Sequence, residues 1–177
     1  MKIAILGYAG SGKSTLAREL GALYGIPVLH LDTVQFLPNW RERPKDEQLR
    51  MVRDFMDENG SWVIDGNYSN LLQARRLEEA DKVLFLLFNR FSALARVVKR
   101  YRQYRGRSRP DMAEGCSEKL DAEFVRWVLW EGRSRKTRAG FQQKQKFCGD
   151  KCVVLQTQRE IDRWLENERR TAHAGSL

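Results

Sequence analysis

Short apolar runs alternate with amphipathic stretches along the whole chain. Residues 3–6 (Ile-Ala-Ile-Leu), 28–32, 61–66, 82–88 and 151–156 are apolar enough to be strands buried on both faces. Between them, apolar residues recur at helical spacing. Leu16, Leu20 and Leu23 share a face within 14–23, as do Leu49, Val52, Phe55 and Met56 within 46–58, and Phe124, Trp127 and Val128 within 121–130. Residues 92–104, 133–146 and 160–169 also read as helices. Gly25-Ile26-Pro27 and Asn59-Gly60 punctuate the pattern. Strands alternating with helices predict an α/β chain, a five-stranded parallel sheet with helices on both faces. Residues 33–45 hold Pro38, Trp40 and Pro44 and read as a loop. Trp40 reads as packing within it, with stacking on a base as the alternative. The Phe124–Trp127–Val128 face reads as core.

Length and composition narrow the class. At 177 residues and 42% hydrophobic, the chain suits one domain with a real core. The expected domain is 1–168, followed by a flexible tail, 169–177. The longest purely apolar run is six residues, 83–88, too short to cross a bilayer. No signal peptide precedes Gly7 and the cysteine count, three, is odd, so a cytoplasmic location is expected. Cys148 and Cys152 lack the further ligands of a zinc site. The net charge of +9 is local: residues 90–110 hold seven Arg, one Lys and no acid, leaving 24 basic against 23 acidic residues elsewhere. Such a segment is an anion site or a nucleic-acid patch, or a solvated helix face.

The chemistry enters with Gly7-Tyr8-Ala9-Gly10-Ser11-Gly12-Lys13-Ser14-Thr15. It fits the phosphate-binding P-loop, set between a strand and a helix. Backbone N–H groups of a glycine-rich turn and a helix N-terminus converge on one polyphosphate. Gly7, Gly10, Ser11, Gly12, Lys13, Ser14 and Thr15 are thus the candidate ATP-binding residues, with Lys13 reaching the β- and γ-phosphates and Ser14 a ligand of Mg²⁺. The 61–66 strand ends in Asp65, the second candidate Mg²⁺ ligand. The 28–32 strand ends in Asp32, placed for Mg²⁺ or an acceptor hydroxyl, or as a cap for the next segment. His30 reads as a hydrogen-bonded structural residue. Arg96 and Arg100 share a helix face, and residues 105–120, basic and glycine-punctuated, read as a lid over the phosphates.

These residues carry a resemblance. Gly7 to Thr15, His30-Leu31-Asp32, Trp62-Val63-Ile64-Asp65-Gly66-Asn67-Tyr68, Arg109-Pro110-Asp111-Met112-Ala113-Glu114-Gly115-Cys116 and Phe124-Val125-Arg126-Trp127-Val128 resemble P-loop nucleoside-monophosphate kinases. More closely, the chain resembles the bacterial adenylate-kinase-related DNA topology modulation proteins, over about residues 1 to 166. The resemblance implies a three-layer P-loop NTPase fold with strand order 2-3-1-4-5 and an arginine-rich lid. It implies phosphate contacts from Arg96 and Arg100 and from lid arginines among Arg105, Arg107 and Arg109, with Arg133 or Arg135 as later contributors. One departure matters. Adenylate kinases follow the third strand with Asp-Gly-Phe-Pro-Arg, whereas this chain has Asp65-Gly66-Asn67-Tyr68-Ser69. The arginine that grips an acceptor phosphate is missing there, leaving Arg75 or Arg76 as substitutes.

The leading expectation is a Mg²⁺- and ATP-dependent kinase with Lys13, Asp32, Arg96, Arg100, Arg107 and Arg109 as catalytic residues. Its acceptor is a small molecule, nucleotides included, bound by residues 33–60. Two alternatives stand beside it: a nucleotide-regulated nucleic-acid-binding protein that affects DNA topology, and an ATPase with water as acceptor.

Overall fold

The structure is a computed structural model and describes residues 1–105, 112, 115–116, 118 and 120–174. In chain order the elements are β1 (Lys2–Gly7), α1 (Lys13–Tyr24), β2 (Val28–His30), α2 (Leu31–Gln35), β3 (Phe36–Leu37), β4 (Arg41–Glu42), α3 (Lys45–Glu58), β5 (Trp62–Asp65), α4 (Gln73–Glu79), β6 (Lys82–Leu86), α5 (Arg90–Tyr104), α6 (Ala122–Leu129), α7 (Arg135–Cys148), β7 (Cys152–Leu155) and α8 (Gln158–Ala174).

Five strands form one parallel sheet in the order β2-β5-β1-β6-β7. Within that sheet alone the order is 2-3-1-4-5, because β3 and β4 pair antiparallel as a separate hairpin. The central strand explains the continuous apolar runs. Ile3, Ala4, Ile5 and Leu6 of β1 are all fully buried, alternating between two cores. Ile3 and Ile5 face Leu16, Ala17 and Leu20 of α1 and Ile161 and Leu165 of α8. Ala4 and Leu6 face the opposite core with Val52 and Met56 of α3, Leu77 of α4, and Phe141 and Cys148 of α7. A smaller cluster joins Ala93 and Val97 of α5 to Val128 of α6. Among the described residues, no helix is long and apolar enough to cross a membrane.

Four expectations change. β2 stops at His30, and Asp32 sits in the first turn of α2 rather than at a strand end. Residues 33–45 are not a plain loop but carry the end of α2, the β3–β4 hairpin and its turn at Pro38–Trp40. Helix α4 was not foreseen. Helix α8 runs to Ala174, through much of the stretch expected as a tail. Its polar face hid that length: Ile161 and Leu165 bury one stripe, and Arg170 pairs with Glu166 one turn earlier.

Candidate active site

The sheet's carboxyl ends open onto the loop between β1 and α1, where ligands of parallel α/β sheets bind. Backbone geometry explains why its glycines are glycines. Gly10 and Gly12 hold φ of 73° and 93°. A Cβ on Gly10 would come within 2.5 Å of the Ala93 carbonyl oxygen of α5, and one on Gly12 within 2.8 Å of Arg96 Nη1. Gly7 is tighter still, with a Cβ only 2.2 Å from the Leu86 carbonyl oxygen. Inside the turn, Ser11 N–H and Oγ both donate to the Tyr8 carbonyl, at 3.3 and 2.7 Å, and Lys13 Nζ donates to it at 3.1 Å.

Asp65 is the hub beneath this loop. It is buried, and register sets it opposite His30 of β2 and Ile5 of β1. Its Oδ2 accepts from the Ser14 hydroxyl at 2.9 Å, and its Oδ1 lies 2.5 Å from His30 Nδ1. The two expected Mg²⁺ ligands therefore touch. A hydroxyl and a carboxylate side by side are the hard oxygen donors Mg²⁺ takes when phosphates and water complete its shell, so these residues fit the ion. Among the described residues, no larger group of His, Cys, Asp or Glu is arranged for a metal. His30 has the structural role expected of it.

The residues after Asp65 were read for their part in the family resemblance and for a missing arginine, with no contact assigned to Asn67 or Tyr68, yet they tie the site together. Asn67 Oδ1 accepts from Gly7 N–H at 3.0 Å and Asn67 Nδ2 donates to the Gly7 carbonyl at 2.7 Å. Tyr68 donates from its hydroxyl to Asp32 Oδ1 at 2.8 Å. Burial, then the neighbouring Asp32 carboxylate, pushes the Tyr68 phenol far up, so it stays a donor. Asp32 thus joins the site although it left the strand. Neither link could be read from sequence, because the partners lie 60 and 36 residues apart.

The substitutes for the missing arginine point elsewhere. Arg76 is fully buried and donates to the carbonyls of Leu71, Gly66 and Tyr68, shaping the loop that carries Asn67 and Tyr68. Burial pushes its guanidinium down to about 10, with Asp65 opposing that shift. Arg75 pairs with Asp57 and Glu79. Arg133, expected near the phosphates, is also structural. It donates to the carbonyls of Phe88 at 2.6 Å and Val128 at 2.9 Å, and its guanidinium lies 3.9 Å from the centre of the Tyr8 ring.

Arg96 and Arg100 of α5 line the cleft. Arg96 lies over the phosphate loop, donating from Nη1 to the Ser11 carbonyl at 3.1 Å and from Nη2 to Gln158. Burial holds its guanidinium below the usual arginine range. Arg100 Nε lies 3.1 Å from Glu118 Oε1. Arg107 and Arg109 lie outside the described residues.

One cleft of about 1120 Å³ takes in all of these groups: Gly10, Gly12, Lys13, Ser14 and Thr15, then Asp32, Asp65 and Tyr68, with Arg96 and Arg100 opposite. Gly7 and Ser11 shape the loop from behind. Phe36, Trp40 and Met112 border the same space, as do Phe124 and Trp127. Trp127 is 41% exposed and stacks on Phe124 at 6.0 Å between centroids, so of that expected core face only Val128 is buried. A strip of apolar side chains at helical spacing does not say whether a helix lies on a core or on a cleft.

Neither a protein-family model nor a curated protein sequence matches the chain. Solved structures do. A shikimate kinase from Acinetobacter baumannii in complex with shikimate aligns with a TM-score of 0.57 at 16% identity, over 98% of this chain and 93% of that one. A shikimate kinase from Bacteroides thetaiotaomicron aligns with a TM-score of 0.57 at 17% identity, over 98% of both chains. Deoxyadenosine kinase from M. mycoides, with dCMP and dCDP bound, aligns with a TM-score of 0.52 at 15% identity, over 96% of this chain and all of that one. The likeness is one of architecture: this chain has the P-loop kinase-like α/β fold.

Proposed function

We propose that the protein is a kinase that transfers the γ-phosphate of ATP to a hydroxyl of a small molecule. The observation that carries this reading is that the phosphate loop and the Asp32–Tyr68 pair open onto one cleft. A site that only bound or hydrolysed nucleotide would need no second carboxylate held by its own hydrogen-bond donor. The structural neighbours are kinases, which supports the class, and they divide over the acceptor. The sequence motifs extend the proposal to the adenylate-kinase-related topology modulation group, and the odd cysteine count extends it to a cytoplasmic location.

Each residue then has a role. The acceptor oxygen attacks the γ-phosphorus, a new O–P bond forms, and the bond to the β–γ bridging oxygen breaks with its electron pair leaving on ADP. The acceptor's hydroxyl proton passes to Asp32. Tyr68 occupies Oδ1 of that carboxylate and leaves the other oxygen for the acceptor. Gly10, Gly12 and Thr15 offer backbone N–H groups to the polyphosphate, and Lys13 pairs with its outer phosphates. Ser14 and Asp65 would hold Mg²⁺, which when bound offsets phosphate charge. Arg96, Arg100 and the lid arginines Arg107 and Arg109 neutralise the transferring group, the main task in such chemistry. That Arg96 and Arg100 face the cleft favours this over a nucleic-acid stripe along α5.

The test is ADP release with ATP, Mg²⁺ and an acceptor panel, above the rate without acceptor. Lys13→Ala is expected to abolish transfer while circular dichroism stays unchanged. Undiminished turnover in that variant would remove Lys13 from the mechanism, and failure of the wild-type protein to bind ATP would end the kinase reading.

A further inference from the structure

We infer that the acceptor is an uncharged molecule carrying a flat aromatic ring and a free hydroxyl, of the nucleoside class, and that Trp40 is its stacking platform. The inference rests on the kinase reading and adds the acceptor's chemistry to it.

The first ground is how Trp40 is held. Asn39 and Trp40 stand in succession at φ of 62° and 61°, a left-handed backbone that residues with a Cβ seldom adopt. Such conformations persist where surrounding structure enforces them, often at ligand clamps. Here the enforcing groups are visible. Trp40 N–H donates to Cys116 Sγ at 3.3 Å, and Cys116, buried, donates in turn to the Leu37 carbonyl at 3.5 Å. Gly115, at φ of 73°, packs so closely that a Cβ would lie 2.8 Å from Asn39 Oδ1. The Trp40 ring meets Phe36 edge-on at 5.2 Å, and both rings border the cleft. An indole that only filled a gap in a hairpin would not need two unfavourable backbone positions and a second segment bracing them. An indole presented to a ligand does.

The second ground is charge. Of the residues in segments 31–42 and 65–70 that line this wall of the cleft, the charged ones are Asp32 and Asp65; Arg41 and Glu42, both exposed, are not part of that lining. Arg100, across the cleft, is matched by Glu118. Arg75 and Arg76 are committed to other partners. Among the described residues, an acceptor phosphate or carboxylate on this wall would sit beside acids with no cation supplied by it. A neutral ring that stacks on Trp40 and extends a hydroxyl toward Asp32 meets no such penalty.

The experiment compares nucleosides and deoxynucleosides with their monophosphates and with aliphatic hydroxy acids, at fixed ATP and Mg²⁺, following ADP release and the phosphorylated product by mass. ATP binding is measured separately with a fluorescent ATP analogue. Nucleosides are expected to give the highest kcat/KM. Trp40→Ala is expected to raise the nucleoside KM by about 10- to 100-fold, the range of base-stacking losses, while leaving the KM for ATP unchanged. Trp40→Phe, which keeps a stacking face, should recover most of it and serves if the alanine variant does not fold. A monophosphate or aliphatic acid as the best acceptor overturns the inference and leaves the kinase reading standing. So does an unchanged acceptor KM in Trp40→Ala. The absence of any acceptor-dependent turnover despite ATP binding overturns the inference and the kinase reading together. Absence of ATP binding overturns both.

Discussion

Asn67 replaces the phenylalanine of the adenylate kinase motif and makes a two-point clamp on Gly7, accepting from its N–H at 3.0 Å and donating to its carbonyl at 2.7 Å. Gly7 is the last residue of β1 and the first of the phosphate loop, so the clamp fixes where strand ends and loop begins. Asn67→Ala removes both bonds. Each is worth about 0.5–1.5 kcal/mol net, so the loss should be about 1–3 kcal/mol. Water reaches the exposed Asn67 position and re-solvates Gly7 in part, which favours the lower half of that range. In a chain of this size a loss of about 1–3 kcal/mol corresponds to a fall in Tm of about 2–12 °C.

The assay is a urea titration with Asn70→Ala as control. Asn70 lies three residues along the same loop and is exposed, so its variant should stay within about 0.5 kcal/mol of wild type. Asn67→Asp separates the two bonds. It keeps an acceptor for the Gly7 N–H but sets a lone pair against the Gly7 carbonyl, and should be no more stable than Asn67→Ala at neutral pH. Because Gly7 leads into the phosphate turn, ATP affinity should fall with stability. If Asn67→Ala matches Asn70→Ala in urea midpoint and in ATP affinity, the clamp is not what sets the loop.

Two further perturbations probe the scaffold. Gly10→Ala forces a Cβ to 2.5 Å from the Ala93 carbonyl and 2.8 Å from Val97 Cγ2 at φ of 73°, so it should cost at least about 2 kcal/mol by denaturation and abolish ATP binding; a wild-type melting curve would refute this packing of α5 on the loop. Glu79 is held below the usual carboxylate range by its hydrogen bond to Lys2 and then by Arg75. A carboxylate depressed in the folded state contributes stability above its unfolded value of about 4.3 and loses it as pH falls through the folded value. Wild type should therefore exceed Glu79→Gln in urea midpoint at pH 7 and converge on it near about pH 3; a gap that persists in acid would assign the effect to packing.

Legibility in the sequence followed the range of the forces involved. The strands were plain because a parallel strand buried on both faces must be apolar throughout, as residues 3–6 and 83–86 are. The phosphate loop was plain because backbone geometry demands glycine at fixed spacing. Where side chains from distant segments meet, local pattern had nothing to register. Arginines at positions 75, 76 and 133 are alike as letters, yet one pairs on the surface and two are buried against carbonyls. Asp32 was expected at a strand end, but β2 stops after three residues and hands it to α2.

The two ends of the cleft therefore differ in how they can vary. The phosphate-loop end is built from main-chain N–H groups, left-handed glycines and the Ser14–Asp65–His30 chain, over the buried strands β1 and β5. A change there disturbs the sheet or the turn itself. The other end rests on a hairpin of two-residue strands, a strained turn and a contact with Cys116. Substitutions at Phe36, Trp40 or Tyr68 should alter which molecule is held without unfolding the sheet, because none of these residues belongs to it. On the kinase proposal, that separation puts the determinants of the acceptor in the hairpin rather than in the phosphate loop.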